Sequence, residues 1–206
     1  MNVDRALPFD VSRETLEKLQ AYEDLIRKWS PKINLVGRAD LSDLWRRHFI
    51  DSAQIYPLAP VGPQMWCDLG SGGGLPGIVL AILASDAALQ SNFTFIESDQ
   101  RKATFLRTAI RELGLAGQVL TDRIETAEPQ AADIVTARAL APLPALLPLV
   151  ARHLAPGGTA FLPKGENASE EIEAARANWH FLCEAHPSAT NARARILQVK
   201  DIRRVS

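Results

Sequence analysis

Residues Met65 to Leu80, Met-Trp-Cys-Asp-Leu-Gly-Ser-Gly-Gly-Gly-Leu-Pro-Gly-Ile-Val-Leu, constrain the fold more than any other stretch of this chain. A short apolar run, Met65-Trp66-Cys67, reads as a buried strand. The chain then turns on Gly70, Gly72, Gly73 and Gly74 and resumes as an apolar helix from Leu75, with Pro76 in its first turn. Strand, glycine turn and helix together bring bare backbone up to a ligand, which is the opening unit of an α/β domain. Four glycines in one turn carry an entropic cost that a plain connection does not require.

The remainder of the chain fits that beginning. After a linker at Pro60–Pro63, strands and helices alternate: a strand at 93–96, a helix at 99–114 stopped by Gly114, strands at 119–120 and 133–136, and a helix from Pro142 to about Leu154. A turn at Ala155-Pro156-Gly157-Gly158 leads into a strand at 159–162, followed by a helix at 168–178. Two final strands, 179–185 and 192–199, have no helix between them and read as a hairpin. Regular alternation predicts a parallel sheet covered on both faces. The closing hairpin makes one of seven strands antiparallel. The expected fold class is thus α/β, a Rossmann-like, mostly parallel sheet with an N-terminal helical extension.

That extension occupies residues 1–60, ahead of the main domain at 61–206. A helix over 12–29 takes Ser12 as N-cap and aligns Leu16, Leu19, Tyr22, Ile26 and Trp29 on one face, and Ser30-Pro31 is expected to stop it. A second helix is expected from Asp40, with Leu41, Leu44, Trp45, His48 and Phe49 sharing a face and Pro57 ending it. The chain's net charge is −1, so a basic surface must be local. The cap holds one, with Arg27, Lys28, Lys32, Arg38, Arg46 and Arg47 set against Asp40 and Asp43; it reads either as a solvated face or as a phosphate-binding face. Two cysteines, Cys67 and Cys183, make no disulfide framework, and no Cys/His spacing points to zinc. With no signal peptide or apolar run of membrane-spanning length, a cytoplasmic protein is expected.

The glycine turn fits two ligands. Gly72 to Gly77 satisfies the dinucleotide pattern G-x-G-x-x-G, and Asp68 to Gly74 satisfies D-x-G-x-G-x-G, the pattern of S-adenosylmethionine binders. Glu97, at the end of the second strand, suits the ribose of either. Asp68 favours the second ligand, because a carboxylate there repels a pyrophosphate and attracts the ammonium of a methionine moiety. For a methyl acceptor, neither cysteine follows a proline as pyrimidine carbon-5 chemistry asks. The segment Thr136-Ala137-Arg138-Ala139-Leu140-Ala141-Pro142 lacks the Asn/Asp-Pro-Pro-aromatic run expected for an exocyclic amine. A ring nitrogen such as guanine N7 needs only alignment with the methyl donor.

Asn34-Leu35-Val36, Arg47-His48-Phe49-Ile50-Asp51-Ser52, Asp68 through Leu75-Pro76-Gly77, Glu97-Ser98 with Arg101-Lys102 and Phe105-Leu106, Thr136-Ala137-Arg138-Ala139 and Leu162-Pro163-Lys164-Gly165 occur together. In this combination the chain resembles the bacterial small-subunit ribosomal RNA guanine-N7 methyltransferases, formerly called glucose-inhibited division protein B. The resemblance runs from the first helix to the Lys-Gly after the fifth strand. It implies an S-adenosylmethionine-dependent enzyme acting on a guanine in the 530 loop of 16S rRNA, with the small ribosomal subunit or an assembly intermediate as partner and no metal. Cofactor contacts carry over to Gly70, Leu75, Ile124, Glu125 and Arg138, beside Asp68 and Glu97. Arg138 and Lys164, at strand ends, are candidates for the reaction centre; Lys32, Arg46, Arg47 and Lys164 are candidates for RNA contact. The basic tail, Arg193, Arg195, Lys200, Arg203 and Arg204, agrees with an RNA substrate. Many members of the family it resembles have Gly-Pro-Gly or Gly-Ala-Gly where this chain has Gly72-Gly73-Gly74. A methyltransferase with another acceptor and a non-catalytic ribosome assembly factor are the alternative readings.

Overall fold

The computed structural model describes residues 7–62, 64–86 and 91–205, with backbone alone at 38–40 and 86. Pro63 and the polar N-terminal residues 1–6 lie outside the described residues.

Helix α1, Arg13–Ile33, opens with Ser12, whose hydroxyl accepts from the Thr15 amide. It does not stop at Pro31. The helix carries that proline in its last turn and ends at Asn34, a left-handed residue whose amide donates to the Ser30 carbonyl. A proline this close to the end removes a bond from a turn that is already fraying, so the helix tolerates it. The expected second helix is a relay of tighter and looser turns: 3₁₀ over Arg38–Asp43, π over Trp45–Ile50, the short α2 at Asp51–Ala53, and 3₁₀ again at Tyr56–Leu58. A π turn widens the helix by one residue, and such turns concentrate where side chains must be re-aimed.

Seven strands follow in the order β3-β2-β1-β4-β5-β7-β6. They are β1 Met65–Leu69, β2 Asn92–Ile96, β3 Gly117–Leu120, β4 Ala132–Ala137, β5 Leu154–Lys164, β6 Trp179–Pro187 and β7 Arg195–Arg204. The first five pair in parallel, and β7 is antiparallel to both β5 and β6, as the closing hairpin predicts. The turn foreseen at 155–158 is part of β5, whose pairing with β4 shifts register between Ala132 and Ile134. Helices α3 (Gly77–Asp86), α4 (Gln100–Leu113), α5 (Leu143–His153) and α6 (Ala168–Arg176) cover the faces. Asp99 and left-handed Gly114 cap α4.

Two apolar clusters form, one on each side of the sheet. The first unites the cap with the domain: Leu19, Tyr22, Ile26, Trp45 and Phe49 share a core with Ile78, Phe95 and Phe105. Tyr22 stacks on Phe49 with ring centres 5.2 Å apart. The cap is therefore packed into the sheet's main core, and its burial stabilises both.

Antiparallel β7 corrects one expectation about charge. Arg195 pairs with Lys164 at the carboxyl end of the sheet, whereas Arg203 and Arg204 pair with His180 and Trp179 at the opposite end. The basic tail does not make one surface.

Candidate active site at the carboxyl end of the sheet

The glycine turn is held from three directions. Within it, the Gly74 amide donates to the Ser71 carbonyl at 2.7 Å, and the Ser71 hydroxyl donates to the Asp68 carbonyl at 2.9 Å. From β2, the Glu97 carboxylate accepts the Gly72 amide at 2.8 Å and the Asp99 amide at 2.7 Å. From the cap, the buried Tyr22 hydroxyl donates to the Gly73 carbonyl. Gly72 and Gly74 take φ of 53° and 81°, which only glycine adopts without strain. Gly73 does not need that freedom; a side-chain carbon there would lie 3.2 Å from the Leu35 carbonyl oxygen, so the middle position is packed by the cap rather than loosened. Helix α3 begins at Gly77, one residue after Pro76, with the Leu80 amide donating to the Pro76 carbonyl.

Asp68 lies beneath this turn and not in its mouth. It is 1% exposed, Oδ1 accepts from Thr136 Oγ1 at 2.6 Å, and Oδ2 makes no hydrogen bond of good geometry. Burial pushes its carboxyl up to about 6, against the lowering influence of Thr136, Ser71, Arg138 and the Gly77 amide. Cys67, its neighbour, is buried with its thiol pushed further up by burial and is inert as a nucleophile.

Two cavities open beside the turn. The smaller, about 350 Å³, is lined by Gly70, Gly72, Glu97, Lys102, Ile124, Glu125, Leu140, Ala141 and Leu149 among others. It gathers four of the residues expected to hold a cofactor: Gly70, Glu97, Ile124 and Glu125. Leu75 and Asp68 are buried outside its lining. An apolar slot of Ile124 and Leu149 beside a carboxylate fits a nucleoside, the ring between the apolar walls and the hydroxyls toward Glu97. Ile124 is fixed by a residue that no local pattern in the sequence singles out. His153, fully buried at the end of α5, bonds to the Ile124 carbonyl through Nε2 at 2.9 Å. Burial holds the imidazole below its ordinary pKa, so it is neutral at pH 7 with its proton on Nε2, where the carbonyl can accept it.

The larger cavity, about 920 Å³, is lined by Asp43, Arg46, Arg47, Asp51, Arg138, Lys164, Glu171, Thr190 and Arg195 among others. It brings together Arg46, Arg47, Arg138 and Lys164. Lys32 is exposed at the end of α1 and lines neither cavity. Arg138 pairs with Asp51 at 3.5 Å. Asp51 Oδ1 also accepts from Gln54 Nε2 at 3.0 Å and Thr190 Oγ1 at 2.7 Å, while Gln54 Oε1 accepts the Ala189 amide at 2.8 Å. The β6–β7 loop is thereby pinned to the cap across the cavity. Lys164 is held too: Nζ donates to the Ala141 carbonyl at 2.6 Å and pairs with Glu171 at 2.9 Å, leaving its side chain 9% exposed. Any contact it makes with RNA is made from this fixed position, beside the Ala141 carbonyl and Glu171. His48 is half-buried on the cap, as its place on an apolar face suggests.

Leu140 and Ala141 line both cavities, so a nucleoside-shaped slot and a cation-rimmed chamber meet at the loop after β4. Among the described residues no His/Cys/Asp/Glu group is arranged to hold a metal, and no helix is long and apolar enough to cross a membrane.

A seven-stranded sheet of this order, with its glycine turn after β1 and its cavities at the carboxyl edge, is the class I methyltransferase fold. It matches a ribosomal protein L11 methylase from Lactobacillus delbrueckii subsp. bulgaricus (TM-score 0.58, 17% identity, 80% of each chain). It also matches a TehB-like SAM-dependent methyltransferase from Corynebacterium glutamicum (TM-score 0.56, 13% identity, 88% of this chain and 98% of that one). Residues 15–198 match the family described as rRNA small subunit methyltransferase G. Relatives named ribosomal RNA small subunit methyltransferase G include one from Cereibacter sphaeroides, 54% identical over 93% of this chain and 92% of that protein. Another, from Ruegeria pomeroyi, is 48% identical over the full length of both. The chain belongs to this family.

Proposed function

We propose that this protein methylates N7 of a guanine in the 530 loop of 16S rRNA, with S-adenosylmethionine as donor. The observation that carries the reading is the junction of the two cavities at Leu140 and Ala141. A nucleoside slot ending at the same two residues as a basic chamber suits a donor and an RNA base meeting there. Glu97 accepts the ribose hydroxyls, Gly70, Ile124 and Glu125 frame the nucleoside, and Oδ2 of Asp68 supplies negative potential under the cationic methionine end.

S-adenosylmethionine supplies a methyl group on a sulfonium: the N7 lone pair forms the new N–C bond, the C–S electron pair stays on sulfur, and the positive charge passes to the purine. No proton has to be removed, so the protein's task is alignment and charge stabilisation. Asp51 supports this division of labour, because both of its oxygens are already engaged by Arg138, Gln54 and Thr190. Arg46 and Arg47 sit at the rim as phosphate contacts, and exposed Lys32 extends the basic face along α1. Such an enzyme works where ribosomes assemble, in the cytoplasm.

The test is to incubate the protein and S-adenosylmethionine with naked 16S rRNA, a partial particle and the whole small subunit, then map N7-methylguanosine by chain cleavage. One methylated guanine in the 530 loop is expected. Methyl transfer to another atom would reassign the acceptor. Cofactor binding with no transfer to any of the three would point to an assembly factor.

A further inference from the structure

Glu171 keeps one carboxylate oxygen to spare beside the junction. It stands in the first turn of α6 and lines the larger cavity. Its Oε2 is fully committed, accepting the Leu143 amide at 2.7 Å and pairing with Lys164 Nζ at 2.9 Å. Its Oε1 accepts no hydrogen bond among the described residues, and its side chain is 24% exposed, turned partly to the cavity. Lys164 in turn is tied to the carbonyl of Ala141, a residue that lines both cavities. A fixed donor and a fixed acceptor therefore stand side by side where base and methyl donor must meet. Both come from regular elements, the end of β5 and the start of α6, which hold a site more precisely than loops do.

Resting on the function proposed above, we propose that this pair reads the acceptor base: Glu171 Oε1 accepts from N1–H and the N2 amine of guanine, and Lys164 donates to O6. The edge of guanine runs acceptor, donor, donor, and the pair presents the complement. Adenine offers a donor where guanine has O6 and no hydrogen at N1, so it meets Lys164 with a donor and leaves Oε1 of Glu171 without the donor that guanine N1–H supplies. The same contact assists the reaction. Methylation at N7 puts a positive charge on the purine and makes N1–H more acidic, so a carboxylate on N1–H stabilises the charge as it develops. Because Oε2 already anchors Lys164 and the start of α5, Oε1 acts without rearrangement.

The experiment compares small-subunit particles carrying guanosine or inosine at the mapped position. Inosine keeps O6 and N1–H but lacks the N2 amine. Methylation rates are measured with wild-type protein and Glu171→Gln, and particle affinity is measured without methyl donor. Wild-type protein is expected to favour guanosine by about ten- to a hundredfold in kcat/KM, the range of one hydrogen bond to a charged acceptor, and to bind the guanosine particle more tightly. In Glu171→Gln the preference shrinks to within about threefold, chiefly by losing rate on guanosine. Equal rates on the two particles with wild-type protein, a comparison that depends on no variant, overturn the proposal. So does a Glu171→Gln that slows both particles by the same factor, which makes Glu171 a brace between α5, α6 and β5. If the wild-type protein methylates neither particle, the function reading itself fails and takes this proposal with it.

Discussion

Arg138 and Asp51 lie 87 positions apart in the chain and meet at 3.5 Å, joining the loop after β4 to the cap. Thr190, from the β6–β7 loop, completes the contact through the other oxygen of Asp51. Three separate segments of chain thus share one carboxylate at the wall of the larger cavity. Asp51→Ala removes the acceptor for Arg138, Gln54 and Thr190 together. At about 1 kcal/mol for each bond, partly recovered by water at this half-buried position, a loss of about 2 kcal/mol is expected. Methylation of the particle should fall more than about tenfold in kcat/KM, while calorimetry with S-adenosylhomocysteine should change less than about twofold. A fall in S-adenosylhomocysteine affinity as steep as the fall in methylation would move Asp51 to the cofactor side.

Tyr22 couples the cap to the glycine turn through the Gly73 carbonyl. Tyr22→Phe keeps the stack on Phe49 and deletes the hydroxyl. The carbonyl is left short of a donor, which costs about 1–2 kcal/mol. For a chain of this size that lowers Tm by about 2–8 °C. S-adenosylmethionine should bind more weakly and the RNA unchanged, measured by calorimetry and by filter binding. Undiminished cofactor affinity would show that the glycine turn keeps its shape without the cap.

Asp68 gives the fold a pH signature. Its carboxyl is raised to about 6 by burial, so the folded chain holds a proton between about pH 4 and 6 that the unfolded chain releases. The stability this group contributes is complete below about pH 4 and is lost as pH rises through 6. At 1.36 kcal/mol per pKa unit, the difference is about 3 kcal/mol. Asp68→Asn removes the titration, so its stability relative to the wild type should rise between pH 4 and 7 in urea unfolding. The same charge, once formed, favours a cation beside it. Wild-type affinity for S-adenosylmethionine should therefore increase across this interval and that of Asp68→Asn should stay flat.

Arg46 and Arg47, proposed above as phosphate contacts, are expected to follow the rule for phosphate-binding cations. Neutralising one such side chain flattens the dependence of log affinity on log salt by about 0.7–0.9. Replacing both with Gln should reduce the slope for RNA by about 1.5, twice that single-charge effect. An unchanged slope would remove the cap from the RNA interface.

What the sequence made legible was local or periodic. The glycine turn, the alternation of strands and helices and the caps at Ser12 and Gly114 each depend on neighbours a few residues away. The irregular cap segment was not legible, because apolar residues at three- and four-residue steps suit 3₁₀, α and π turns alike. The site was half legible. Gly70, Glu97, Ile124 and Glu125 converge because each follows or ends an element at the carboxyl edge. The clamp of Asp51 on Arg138 and Thr190, the pairing of Lys164 with Glu171 and the seat of His153 under Ile124 depend on which strand lies beside which. Charge along the tail misled for the same reason: one antiparallel strand carries Arg195 to the cavity and Arg203 to the far edge.

That antiparallel strand also sets an order of assembly. The slot lined by Gly70 through Leu149 is complete in sequence before β6 and β7 begin, whereas Thr190 and Arg195 come from the β6–β7 loop and β7. Because β7 inserts between β5 and β6, the sheet must receive its final strand before the chamber has its outer wall. The smaller cavity thus draws only on chain that precedes β6, whereas the larger one closes only when β7 is in place between β5 and β6.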